Sequence, residues 1–299
     1  MKIKIGTRGS KLALWQANYV KSLIESVDHD INVELVIIKT SGDAIQDVSL
    51  TDIGGKGLFV KEIEKALLSK EIDIAVHSMK DMPAEIPSSL YIAATPPAES
   101  PWDAIIFNKP LTFTTLKPHS VIGTTSLRRI VQIKRLNNTM DFKLLRGNVD
   151  TRIKKMNEGS YDAVIVAYAG INRLGIKPEF IERLDIIPAA GQGIIAIQIH
   201  EDSNHLIPVL NMISHTETFI RSQAERGFTT RIGGSCNTPL GAHAELSGAY
   251  IIIKGFVASP DGGIFYSNTV KDKRENAYKT GETLAETLLE LGAAKILNV

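Results

Sequence analysis

The chain has 299 residues, 43% hydrophobic and 22% charged, and its 34 Lys and Arg nearly cancel 33 Asp and Glu. That length suffices for two or three domains, and the composition is that of a globular protein. A net charge of +1 excludes a global field that would draw nucleic acid or a membrane surface, so any charge argument must be local. The opening MKIKIGTRGS lacks the apolar core of a signal peptide, and no stretch approaches the roughly 18 apolar residues of a membrane span. One cysteine, Cys236, cannot form an internal disulfide. These features predict a cytoplasmic protein with no nucleic-acid or membrane partner.

KIKIG (2–6) reads as a strand, and 10–27 as a helix with Leu12, Trp15, Tyr19 and Leu23 on one face. VELVIIK (33–39) is strand-like, 59–69 is helical, and IDIAVHS (72–78) reads as a buried strand. This βαβα rhythm predicts a mainly parallel sheet covered by helices. TPPAESPW (95–102) breaks it with three prolines. The rhythm resumes with strand SVIGTTS, helix 127–136, strand FKLLRG, helix 149–158 and strand DAVIVA (162–167). A second break, IPAAGQG (187–193), precedes the apolar run IIAIQIH (194–200). Two similar α/β units joined by two connections predict a hinged pair with a cleft between them. The remainder changes character: a helix over 217–230, a hairpin of AYIIIKGFVAS and GGIFYSNTV around PDGG, and a closing helix over 275–291. The expected domains are 1–96 with 194–213, then 101–190, then an α+β unit at 216–299 near whose start Cys236 stands.

HSMKDMP (77–83) directly follows a buried strand. Ligands of open α/β sheets sit beyond the carboxyl ends of the strands, so Ser78, Lys80 and Asp81 are expected to face the cleft. An ordinary polar turn would read the same. The arginines tip the balance. Arg8, Arg128, Arg129, Arg146, Arg152 and Arg173 each stand at or near the carboxyl end of a predicted strand. A solvated helix face would instead scatter cations with acidic partners one turn away. Arginine grips carboxylate or phosphate through a planar fork, and helix starts at Ser10 and at Thr125–Ser126 add backbone N–H groups. The expected ligand carries several anionic groups. A long, weakly periodic segment, 40–57, with Gly54, Gly55 and Gly57 around Lys56, reads as a cover over this cleft.

Other chemistries fit less well. GGKGLF (54–59) has Leu58 where a phosphate-binding loop needs Lys and then Ser or Thr. The seven histidines show no paired spacing for a metal. A hydrolase using Cys236 and His77 lacks a visible orienting group. The basic run LRRIVQIKR has no aromatic interleaving for nucleic acid. A non-catalytic anion-binding clamp remains the main rival, but it has no use for a carboxylate inside its cationic site.

Seven segments, GTRGSKLALWQ, GGKGLFVKEIE, HSMKDMP, GTTSLRR, LRGNVDTR, PAAGQG and GGSCNTP, occur in this order along the chain. The set closely resembles the hydroxymethylbilane synthase, or porphobilinogen deaminase, family. The resemblance implies two periplasmic-binding-protein-like (type II) α/β domains with a hinged cleft, plus a small C-terminal α+β domain. It implies a monomer that joins four porphobilinogen units with loss of ammonia and releases linear hydroxymethylbilane. It also implies a dipyrromethane cofactor bound to Cys236 through a thioether. A thiolate is a strong, soft nucleophile, suited to trap the electrophile left when ammonia departs. By the same resemblance Asp81 is the catalytic carboxylate. Cys236, Ser78, Lys80, Asp81, Thr124, Ser126, Arg128, Arg129, Arg146 and Gly147 hold the cofactor. Arg8, Ser10, Gln16, Lys56, Phe59, Arg146, Arg152 and Arg173 bind substrate. No metal is implied.

Overall fold

The computed structural model describes residues 1–40, 60–233 and 238–297. The expected cover at 40–57 therefore lies outside the described residues, apart from Thr40, as do Lys56, Phe59 and Cys236.

The first sheet has five strands: β1 (Lys2–Thr7), β2 (Asn32–Ile37), β3 (Ile74–Ser78), β4 (Leu90–Ala94) and β10 (Ile195–His200), in the order β2-β1-β3-β10-β4. β1 alternates Lys2 and Lys4 outward with Ile3 and Ile5 fully inward. β3 is buried over four of its five residues, as a central strand covered on both faces must be. Helices α1 (Lys11–Val27) and α2 (Lys61–Leu68) cover the sheet. Ala17, Val20 and Ile24 of α1 join Ile3, Ile5, Ile74 and Ile197 in one core cluster. Each valine or isoleucine among them contributes about 1.5–3 kcal/mol on burial. α1 begins where Ser10 caps it, the hydroxyl accepting from Ala13 N at 3.3 Å.

The second sheet repeats the plan with β5 (Asp103–Phe107), β6 (Val121–Gly123), β7 (Asp141–Lys143), β8 (Ala163–Ala167) and β9 (Phe180–Arg183), in the order β7-β6-β8-β5-β9. Helices α3 (Leu127–Leu136), α4 (Val149–Lys155) and α5 (Tyr168–Arg173) follow β6, β7 and β8. The sheets are mixed rather than mainly parallel. In each, four strands run in one direction, and the fifth, the strand entered by crossing from the other unit, runs antiparallel to both its neighbours. β5 arrives through the proline-rich break and β10 through IPAAGQG. The expected strands SVIGTTS and FKLLRG shorten to Val121–Gly123 and Asp141–Lys143, because the residues beyond turn away to form the rim of the cleft. β4, β5 and β9 carry no alternation and escape a periodicity reading.

The crossovers touch. Gly193 has φ +85°, and a side chain there would meet the Glu99 and Ser100 carbonyls, so only glycine lets the two connections pass.

After α6 (Ile207–Ile213), helix α7 (Thr216–Ile232) opens the last unit, where β11 (Leu240–Ser247), β12 (Tyr250–Ala258) and β13 (Phe265–Lys273) form an antiparallel sheet backed by α8 (Ala277–Leu288). The hairpin around PDGG forms as expected. α7 and α8 cross with almost no side chain between them: a Cβ on Gly281 would strike the Ala224 carbonyl and the Phe228 amide. Gly281→Ala is thus expected to cost about 1–3 kcal/mol, read as a lower thermal midpoint. An unchanged midpoint would mean that the helices separate without penalty. Among the described residues no helix is long and apolar enough to cross a membrane.

Candidate functional site

The carboxyl ends of β1, β3, β6 and β8 lead into the residues singled out from sequence: Arg8, Ser78–Asp81, Thr124–Arg129 and the helix ending in Arg173. The two rims face each other. Lys11 of α1 pairs with Asp150 of α4 at 2.9 Å, and Arg173 lies 5.8 Å from the Trp15 ring across the same junction.

On the first rim, β3 ends at Ser78 and a single 3-10 turn, Met79–Asp81, follows. Ser78 Oγ and the Gln16 amide bond each other at 2.9 Å, so two expected site residues are brought together. Lys80 Nζ donates to Gln192 Oε1 at 3.1 Å. Burial and the charges of Arg129 and Arg128 lower the Lys80 pKa to about 8, against the opposing pull of Asp81 and Asp103. Asp81 itself is exposed.

On the second rim, Thr124 Oγ1 accepts from Ser126 N at 3.2 Å and shapes the turn into α3. Arg152 donates to the Gly147 carbonyl at 2.8 Å. Burial, Arg129 and Arg146 depress its pKa to about 10, and Asp81 opposes them. Asp81 therefore acts on Lys80 beside it and on Arg152 across the cleft.

Arg128 and Arg129, expected among the cations that grip an anionic ligand, are already paired within the protein. They are only 7% and 6% exposed and share one carboxylate, Asp103, which is fully buried. Arg128 reaches Asp103 Oδ2 at 2.6 Å and Arg129 reaches Oδ1 at 2.7 Å. Each also donates to a carbonyl, Ile187 at 2.7 Å and Ile165 at 2.9 Å. Burial pushes the Asp103 carboxyl up, but the two guanidinium charges outweigh it and hold it far below the usual range. Asp103→Ala would strand two buried cations and should lower unfolding stability by about 3–5 kcal/mol in a denaturant titration. A loss below about 1 kcal/mol would show that the arginines find other anions or water. Arg173 is also buried, donating to the Gly193 carbonyl at 2.7 Å. Burial takes its pKa to about 10, with Glu99 opposing. Ser10 spends its hydroxyl on capping α1.

His77 cannot serve a hydrolase as a base toward the cleft. It is buried under α2, where its Nε2 meets Gln198 Oε1 at 3.1 Å and Gln198 donates to Glu64 at 2.9 Å. Burial takes its pKa down to about 4.

Sequence reasoning missed Asp103, Gln192, Glu225 and Arg226. An acid opening the apolar run AIIF was the only trace of Asp103. Glu225 and Arg226 stand on α7, seven and six residues before its end at Ile232, on the helix that buries Phe228 and Ile232 in the core. Glu225 accepts from Gly191 N at 2.5 Å and from Ala244 N at 3.1 Å. Arg226 donates to the Ala84 carbonyl at 2.8 Å, just past the Lys80–Asp81 turn. Nothing in the spacing of α7 foretells these contacts.

A polyanionic cofactor fits this site. Five cations, Lys80, Arg128, Arg129, Arg146 and Arg152, stand against two carboxylates, Asp81 and Asp103, in one electrostatic group. Two family descriptions cover most of the chain: "Porphobilinogen deaminase, dipyromethane cofactor binding domain" over residues 3–208 and "Porphobilinogen deaminase, C-terminal domain" over 219–290. Porphobilinogen deaminase of Syntrophomonas wolfei is 46% identical over 298 residues, covering 99% of this chain and 97% of its own. That of Trichlorobacter lovleyi is 45% identical, covering 99% and 96%. Among solved structures, the methionine binding protein MetQ covers 75% of this chain and 91% of its own at TM-score 0.46 and 11% identity. Matched along nearly its whole length by both the family descriptions and these relatives, the chain belongs to the porphobilinogen deaminase family.

Proposed function

We propose that this chain is a hydroxymethylbilane synthase: it joins four porphobilinogen molecules head to tail, with loss of ammonia at each step, and releases the linear product by hydrolysis. The observation that carries the reading is a carboxylate inside a cation-lined cleft, Asp81, acting on both Lys80 and Arg152. A pure anion binder loses affinity by such a group. An enzyme that makes a cation when ammonia leaves gains from it, because a fixed charge in a partly dry cleft stabilises the transition state strongly.

In this reading Asp81 accepts from pyrrole N–H groups, faces the developing positive charge and helps move the proton that leaves with ammonia. Lys80, Arg128, Arg129 and Arg146, with Ser78, Thr124, Ser126 and Gly147, hold the acetate and propionate groups of the cofactor. Arg8, Ser10, Gln16, Arg152 and Arg173, with Lys56 and Phe59, receive those of the substrate. The buried pairing of Arg128 and Arg129 with Asp103 supports a fixed, preorganised donor set rather than mobile surface cations. The dipyrromethane, when bound, supplies the terminal pyrrole carbon that the first substrate extends. Its attachment point is Cys236, and the domains run 1–96 with 194–213, 101–190 and 216–299. The protein works as a cytoplasmic monomer.

The deciding experiment is the intact mass of the purified protein together with ammonia release from porphobilinogen. The mass should exceed that of the sequence by a two-ring adduct. Protein of unadorned mass that made tetrapyrrole at full rate would overturn the proposal.

A further inference from the structure

Gln192 lies on the second crossover and is 1% exposed. Its amide oxygen accepts from Lys80 Nζ at 3.1 Å. Its amide nitrogen donates to the Pro101 carbonyl of the first crossover at 2.6 Å and to Asp103 Oδ1 at 3.1 Å. Asp103 in turn holds Arg128 and Arg129. One side chain thus connects both crossovers, the first rim and the second. The amide fits only one way round, since a flip would set its oxygen against two acceptors and its nitrogen against an ammonium. Glutamate has the length but no donor.

We propose that Gln192 is a positioning residue for the reaction: it holds the Lys80 ammonium beside Asp81 and ties it to the Asp103 anchor of the opposite rim. The inference rests on the reading of Lys80 as a carboxylate-binding group of this site. The charged groups facing Lys80 are Asp81 on its own turn, Asp103 on β5, and Arg128 and Arg129 on α3. Glu225 and Arg226 of α7 line the small cavity beside it.

The test is the pH dependence of single-turnover ammonia release by the cofactor-bearing enzyme. Burial lowers the Lys80 pKa to about 8 and the cofactor carboxylates it would hold raise it again, so the rate should fall along an alkaline limb at or above that value as the ammonium is lost. Gln192→Met removes the acceptor, so this alkaline limb should move down by about one pH unit. Gln192→Glu places a carboxylate at the same point, so the limb should move up. A merely structural role would shift both variants alike or neither, and either result overturns the proposal. Lys80→Met should abolish the limb. If it leaves the limb intact, the reading of Lys80 fails; if it abolishes the limb while both Gln192 variants keep it in place, only the role of Gln192 fails. A measurement independent of variant folding uses the unsubstituted enzyme labelled with nitrogen-15 at glutamine. One side-chain amide should shift across the same limb, and a spectrum in which none does overturns the inference.

Discussion

Asp81→Asn is expected to lower single-turnover ammonia release by at least about a hundredfold, the scale of losing one preorganised electrostatic group. Asparagine keeps the size and one acceptor oxygen but removes the charge that opposes a developing cation. The turn that carries residue 81 is held by backbone and by its neighbours: Met82 N bonds the Met79 carbonyl at 3.1 Å, and Met79 N bonds Ile194 at 3.0 Å. The exposed side chain of Asp81 is outside that scaffold, so the variant should fold, as circular dichroism would verify. Porphobilinogen binding should change far less than turnover, since removing a negative charge from a cationic cleft does not weaken an anion. Asp81→Glu moves the carboxylate by roughly one bond length, and a displacement of about 1 Å can cost on the order of a hundredfold. It should retain slow, measurable release. Wild-type release by Asp81→Asn would remove Asp81 from the chemistry.

Cys236→Ser should abolish tetrapyrrole synthesis. The serine hydroxyl stays protonated near neutral pH, whereas a thiol is partly ionised and far more nucleophilic toward the electrophile that forms the thioether. The variant should therefore purify at the mass of its sequence and give no pyrrole colour with acid and an aldehyde reagent. Its fold should persist, because the last unit is held by the α7–α8 crossing and by a core of Phe228, Ile253, Leu284 and Leu288. Normal synthesis by an unmodified Cys236→Ser protein would refute covalent priming at this residue. The two predictions separate two losses: one variant carries the cofactor and turns over slowly, and the other never acquires it.

Much of the architecture is legible in the chain because the signals are local. The Ile3/Ile5 alternation, the helix at 11–27 and the PDGG hairpin are set by the period of the backbone and the chemistry of turns, although α1 buries Ala17, Val20 and Ile24 rather than the expected face, on which Trp15 is exposed. The rule that parallel strands present their carboxyl ends to a ligand places Ser78, Lys80 and Asp81 at the cleft before any coordinates are known. What periodicity does not carry is pairing. β5, AIIF after Asp103, is apolar throughout, and its antiparallel place between β8 and β9 depends on a chain that crosses from the other unit.

Sequence alone therefore determined the two α/β units, the third α+β unit, the family motifs and the concentration of cations at strand ends. Only the tertiary structure decided which cations are spoken for. Asp103 is brought to Arg128 and Arg129 across 25 and 26 residues, and Gln192 to Lys80 across 112. No pattern in the sequence encodes such distances, because buried charges must be met by whatever polar groups the packing of distant segments delivers to them.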